Sequence, residues 1–196
     1  MEENFDAFEV IARTRGKVDM DSVPTGGKLF PLWGWLAAIA YSLEFLLWQL
    51  LHQEWCLWLW VLIPVIGVPL MALFIRKDRD RTHMRTRVSR LVLDYWIFAA
   101  CVFCMGGFLF GFTGVYEVVE NPLMAVLVGI GAFITGGAMR FRPMVVGGLA
   151  GAAIGVCSFV LQGDLWVWQM LAIVASAVAA LIIPGHLYQK SVKNGI

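Results

Sequence analysis

Charge is scarce in this chain. Asp, Glu, Lys and Arg make up 15% of its 196 residues, against 60% in the apolar set, and mean hydropathy is +0.75. A soluble domain sits near a quarter charged, so an ordinary water-soluble globule is excluded, and the apolar content equally excludes disorder. Histidine is scarcer still, limited to His52, His83 and His186, with no H-E-x-x-H pair for zinc. No glycine-rich phosphate loop leads into a helix, and there is no nucleophile elbow. The four cysteines, Cys56, Cys101, Cys104 and Cys157, fall in or beside apolar runs and form no disulfide framework. Cys101 and Cys104 make a C-x-x-C near mid-bilayer depth, where a thiolate is strongly disfavoured. These absences predict a non-enzymatic protein with no metal and no cofactor. The net charge of +1 gives no reason to expect nucleic acid.

What the chain has is apolar length. A hydrocarbon core about 30 Å thick takes roughly 20 apolar helical residues to cross. Six runs qualify: Phe30 to Leu51, Trp55 to Ile75, Leu91 to Thr113, Pro122 to Met139, Pro143 to Leu161, and Leu165 to about Ile183. They are continuously apolar and rich in Gly and Ala, unlike the alternating strands of a β-barrel. The expected fold is therefore all-α, a polytopic bundle of six transmembrane helices over residues 30–187. A cytoplasmic segment, 1–29, precedes it and a cytoplasmic tail, 188–196, follows. The first 29 residues carry six acids and four Lys/Arg without an apolar signal-peptide core, so the first run is expected to be retained as a span.

The charges set an orientation. Arg13, Arg15, Lys17 and Lys28 precede the first run, and Arg76, Lys77, Arg79, Arg81, Arg85, Arg87 and Arg90 fill the second loop. Arg140 and Arg142 sit in the fourth, and Lys190 and Lys193 in the tail, so all 15 Lys and Arg lie on one side. By the positive-inside rule both termini are cytoplasmic. Trp48, Trp55, Trp58, Trp166 and Trp168 gather toward the outer interface, with Trp33 and Trp35 near the inner one. Pro31, Pro122 and Pro143 are expected at helix starts, Asn121 as the cap of the fourth helix, and Pro184-Gly185 as the end of the sixth. Phe5, Phe8, Ile11 and Ala12 share one helical face, which predicts a short amphipathic N-terminal helix. Met20 to Gly27 reads as a linker.

Few residues offer chemistry. Glu44 is the one ionisable side chain well inside a run, roughly 10 Å below the outer end of the first helix. Intramembrane acids are candidates for proton, cation or substrate contact. The alternative is a protonated acid hydrogen-bonded between helices, near Tyr41, Ser42 or Trp48. Pro64 and Pro69, with Gly67, predict a kink or break in the second span, and such breaks build sites in transporters. Asp94, four residues after Arg90, is expected to pair with it at the inner interface. The second loop, with Asp78 and Asp80 among its seven cations, has net charge +5. Together with Arg140 and Arg142 it forms a face for anionic lipid or for a cytosolic regulatory protein. Gly147, Gly151 and Gly155, and Gly107 and Gly111, form stripes that serve either packing within the bundle or an oligomer contact.

Three stretches carry a resemblance: L-W-G-W-L from Leu32 to Leu36, G-A-F-I-T-G-G-A-M-R-F-R-P-M-V-V-G-G from Gly131 to Gly148, and I-I-P-G-H-L-Y from Ile182 to Tyr188. Over nearly its whole length the chain resembles an uncharacterised family of small six-span bacterial inner-membrane proteins. The resemblance implies that architecture and location but no activity, ligand or catalytic residue. Members accompany winged-helix regulators, a hint about pathway alone. Two functional expectations follow from the residues. One is a regulatory or scaffolding component using the basic cytoplasmic face. The other is a small transporter or channel with Glu44, Tyr41 and the Pro64/Pro69 break at its site.

Overall fold

The computed structural model describes residues 26–77, 87–113 and 119–193, and all regular structure among them is helical. Helix α1 (Gly26–Leu51) leads into a 3-10 segment (Glu54–Val61) and α2 (Leu62–Lys77). Next come α3 (Arg87–Thr113) and the hairpin of α4 (Glu120–Ala138) and α5 (Arg142–Ser158). A short 3-10 turn (Gly163–Leu165) leads into α6 (Trp168–Ala177), a π segment (Val178–Ile182) and α7 (Ile183–Lys193). Four helical stretches are long and apolar enough to cross a membrane: Leu29–Leu51, Leu91–Phe108, Glu120–Ala138 and Trp168–Ser191. Two further apolar helices, Trp58–Leu73 and Arg142–Ser158, are shorter. At 17 residues, Arg142–Ser158 extends about 25 Å.

Glycine sets how closely these helices approach. A Cβ on Gly129 would lie 2.2 Å from the backbone nitrogen of Ala152, and one on Gly148 would lie 2.4 Å from that of Phe133. Gly136 against Val145 and Gly155 against Val126 continue the same seam, so α4 and α5 meet backbone to backbone. Gly147, Gly151 and Gly155 do not share one neighbour. Gly147 lies on Ala179 and Pro184, Gly151 on Ser176 and Ala180, and Gly155 on α4. The stripe is divided because α5 is enclosed on two sides, and each face needs its own clearance.

Around this hairpin, α6 packs on α1, α4 and α5, while α3 packs along α4. The larger core gathers Tyr41, Trp60, Met124, Trp166, Met170 and Ile173, and a second cluster joins Ala132, Met144, Ala180 and Leu181. Buried polar groups are mostly paired. The Ser176 hydroxyl donates to Ala125 O at 3.1 Å, the Tyr95 hydroxyl to Leu127 O at 2.6 Å, and the Trp96 indole N–H to Thr135 Oγ1 at 3.1 Å.

Three local expectations are corrected. Pro31 lies inside α1, which begins at Gly26. Pro31 leaves the Gly27 carbonyl without its N–H partner, one bond near the start of a 26-residue helix. Asn121 does not cap α4. The helix starts two residues earlier, at Glu120, its N-cap is Val119 without a side-chain bond, and Asn121 is buried in the first turn. Pro122 permits this, since the first four N–H groups of a helix are unpaired in any case. Finally, Pro184-Gly185 does not end the last helix, which runs on to Lys193. The π segment absorbs the proline: Ile183 N–H donates to Val178 O five residues back, widening the turn just before the Pro184 ring would meet the carbonyl of Ala180. Gly185 packs against Pro31, where a Cβ would lie 2.6 Å from Cδ.

The break expected at Pro64 and Pro69 is not present: α2 runs through Pro69 to Lys77, and what changes in the second apolar stretch is the helix type, upstream of the prolines. The chain changes from 3-10 to α geometry between Val61 and Leu62, with Pro64 in the first turn of α2 and Pro69 inside it. Eight residues is long for a 3-10 run. The expected amphipathic helix near the N-terminus, the linker up to residue 25, and Arg79, Arg81 and Arg85 lie outside the described residues.

Candidate functional site

Glu44 faces into the structure from α1, one turn past Tyr41, so both side chains share the face that α6 covers. Glu44 is 3% exposed. The cavity beside it is lined by Tyr41, Glu44, Trp60, Glu120, Asn121, Trp166 and Met170, and it leaves about 10 Å³ for the centres of water-sized molecules. That is room for about one water. Trp60 reaches it from the 3-10 segment, Glu120 and Asn121 from the first turn of α4, and Trp166 and Met170 from the entry to α6.

Aromatic packing holds the walls. Trp166 meets Trp48 edge to face at 5.3 Å, and Trp60 meets Phe103 and Phe108 of α3 edge to face at 5.1 and 5.8 Å. Trp60 also lies over Gly107, where a Cβ would stand 2.4 Å from its ring. The 3-10 segment is thereby clamped against α3, which fixes where Trp60 stands.

Two buried side-chain oxygens among the described residues lack a hydrogen-bond partner: Glu44 Oε2 and Gln169 Oε1. Gln169 is otherwise anchored, its amide N–H donating to Leu161 O. Glu44, whose Oε2 is bare, instead lines a cavity shared with a second buried carboxylate, Glu120. A buried polar group normally has a partner, and an exception points to strain, chemistry or a missing water or ion. Two buried carboxylates lining one small cavity call for compensating positive charge, which a proton or a cation supplies.

The site thus joins Glu44 and Tyr41, as their positions suggest, but not the two prolines. Pro64 is half-buried and Pro69 exposed, and neither lines the cavity; Gly67 between them packs on Trp33. Ser42 does not line it either, and Trp48 contributes only through Trp166. Glu120 is the partner that sequence reasoning misses, because it falls in the stretch between the third and fourth apolar runs, beside a second acid, Glu117, and so reads as a loop residue. The available signal is the E-N-P sequence at 120–122, an acid two residues ahead of a helix-starting proline, where the positive end of the helix dipole favours it.

The cationic candidates lie elsewhere. Arg76 is exposed near the end of α2, and Arg140 and Arg142 are exposed at the α4–α5 turn. The side chains of Lys77, Arg87 and Arg90 are outside the described residues, as is any pairing of Arg90 with Asp94, itself exposed. Arg140 has φ 53°, a left-handed conformation that favours glycine. It occupies the first position past the helix in a Schellman cap: Arg140 N–H donates to Gly137 O at 3.2 Å, and Phe141 N–H to Gly136 O at 2.8 Å. Cys101 is exposed and Cys104 half-buried on α3, and no group of three metal-ligating side chains occurs among the described residues. No family model matches the chain, and no curated protein or solved structure does.

Proposed function

We propose that the chain is a six-span bacterial inner-membrane protein with both termini in the cytoplasm, and that it carries a proton or cation through an intramembrane site built on Glu44 and Glu120. Six apolar helices and the one-sided placement of all 15 Lys and Arg support the topology. In this arrangement the cavity lies toward the outer leaflet, where α1 ends and α4 and α6 begin. The observation that carries the transport reading is that buried Glu44, whose Oε2 has no partner, lines a water-sized cavity together with Glu120. Flux across proteoliposomes tests it. Ion-driven flux should be present in the native protein and lost in Glu44→Gln. Absence of flux under proton, sodium, potassium and ammonium gradients, with insertion verified, would reject it.

The concentration of cations on one face supports a second reading, a regulatory component that contacts anionic lipid or a cytosolic protein. Crosslinking in native membranes, beside a variant with Arg79, Arg81, Arg85 and Arg87 neutralised, tests that reading: a partner captured only by the native chain would favour it.

A further inference from the structure

We infer that the occupant of the Glu44–Glu120 cavity is a dehydrated monovalent cation of a single heavy atom, the size of a water molecule. The inference rests on the proposed cation site and narrows its ligand. Size is the first argument. The cavity accepts about one water-sized centre, so an organic ammonium or a sugar does not fit, and neither does an ion that keeps its hydration shell. Magnesium retains several waters in octahedral geometry, more than a space for about one water admits; the polar side chains on these walls are two carboxylates, one amide and one phenol.

The donor set is the second argument. Glu44 Oε2 is an oxygen acceptor with no partner in the protein. Glu120, the Asn121 amide and the Tyr41 hydroxyl bring further oxygens to the same space. No described His or Cys stands with them to make a transition-metal set. The rest of the lining is Trp60, Trp166 and Met170. Aromatic rings attract a weakly hydrated cation and offer nothing to an anion beside two carboxylates. Hydronium, sodium, potassium and ammonium share the required chemistry: one positive charge, one heavy atom, and affinity for carboxylate oxygen.

Trp60 and Trp166 make the site self-reporting. The experiment uses the full chain in lipid nanodiscs, with tryptophan emission followed during titration by NaCl, KCl, NH4Cl, MgCl2, CaCl2 and choline chloride at constant ionic strength. A proton arm varies pH in choline alone. The expected result is a saturable change with one or more monovalent ions or with protons, and none with choline or the divalents. Apparent affinity should fall at least tenfold in both Glu44→Gln and Glu120→Gln and persist in Asp94→Asn, each variant being checked for native thermal unfolding. Two independent carboxylate variants guard against the misfolding of one. Saturation by magnesium or calcium that both variants abolish would overturn this inference and leave the cation site standing. No saturable response to any ion or to pH in the native protein would overturn the site together with the inference.

Discussion

Replacing Gly129 with alanine should separate the central hairpin. The new Cβ would stand 2.2 Å from Ala152 N, 2.6 Å from its Cα and 2.8 Å from Gly148 O, whereas ordinary contact begins at 3.4 Å. Every obstructing atom is backbone, so no rotamer change relieves the clash, and α4 and α5 must part by about 1.2 Å locally. A gap of that order forfeits a quarter to a half or more of the dispersion energy of the contacts it opens. The loss spreads along the seam at Gly136, Gly148 and Gly155. Overpacking of this kind costs about 3 kcal/mol, and the better helix propensity of alanine returns about 1, for a net loss of about 2 kcal/mol. Gly137 is the internal control: it lies in the same helix with nothing within 4 Å of its Cβ position. Gly137→Ala should therefore be neutral or stabilise by up to about 1 kcal/mol. Reversible unfolding in mixed micelles, read by circular dichroism, gives both numbers. A Gly129→Ala protein as stable as the native one, or two equal losses, would refute the reasoning.

Thr135→Val keeps the shape of a side chain that is 1% exposed but leaves the Trp96 indole N–H without its acceptor. Stability should fall by about 1 kcal/mol, with a shifted tryptophan emission; the same unfolding assay reads it. Arg140→Gly relieves the left-handed backbone at φ 53° and should raise stability by about 1 kcal/mol, seen as a higher midpoint, whereas Arg140→Ala should show no such gain.

How much of this was readable in the sequence depends on the range of the signal. Helical class and the positions of the apolar stretches follow from composition and run length, which are local. Pro143 stands in the first turn of α5 as expected, because a helix start is where a missing N–H costs nothing. The errors come from treating proline as punctuation. Pro31 and Pro184 are both held inside helices, the first in the second turn where Gly185 packs against its ring and the second by the π segment, and neither remedy is visible in the residues themselves. At the site, Glu44 and Tyr41 are legible because both are unusual within an apolar run, one turn apart. Glu120 is not, because it stands among other polar residues and gains its meaning only when α4 is placed beside α1. Gln169 and Trp60 are hidden for the same reason: their burial is decided by long-range packing, not by neighbours in the chain.

The central claim is that Glu44 and Glu120 act as one site. A double-mutant cycle tests it most directly, with unfolding free energies measured for the native protein, Glu44→Gln, Glu120→Gln and the double variant in the same micelles. Carboxylates sharing one cavity are coupled, so the two single effects should fail to sum by more than about 0.5 kcal/mol. Additivity to within about 0.3 kcal/mol, as expected of distant and independent residues, would contradict the account.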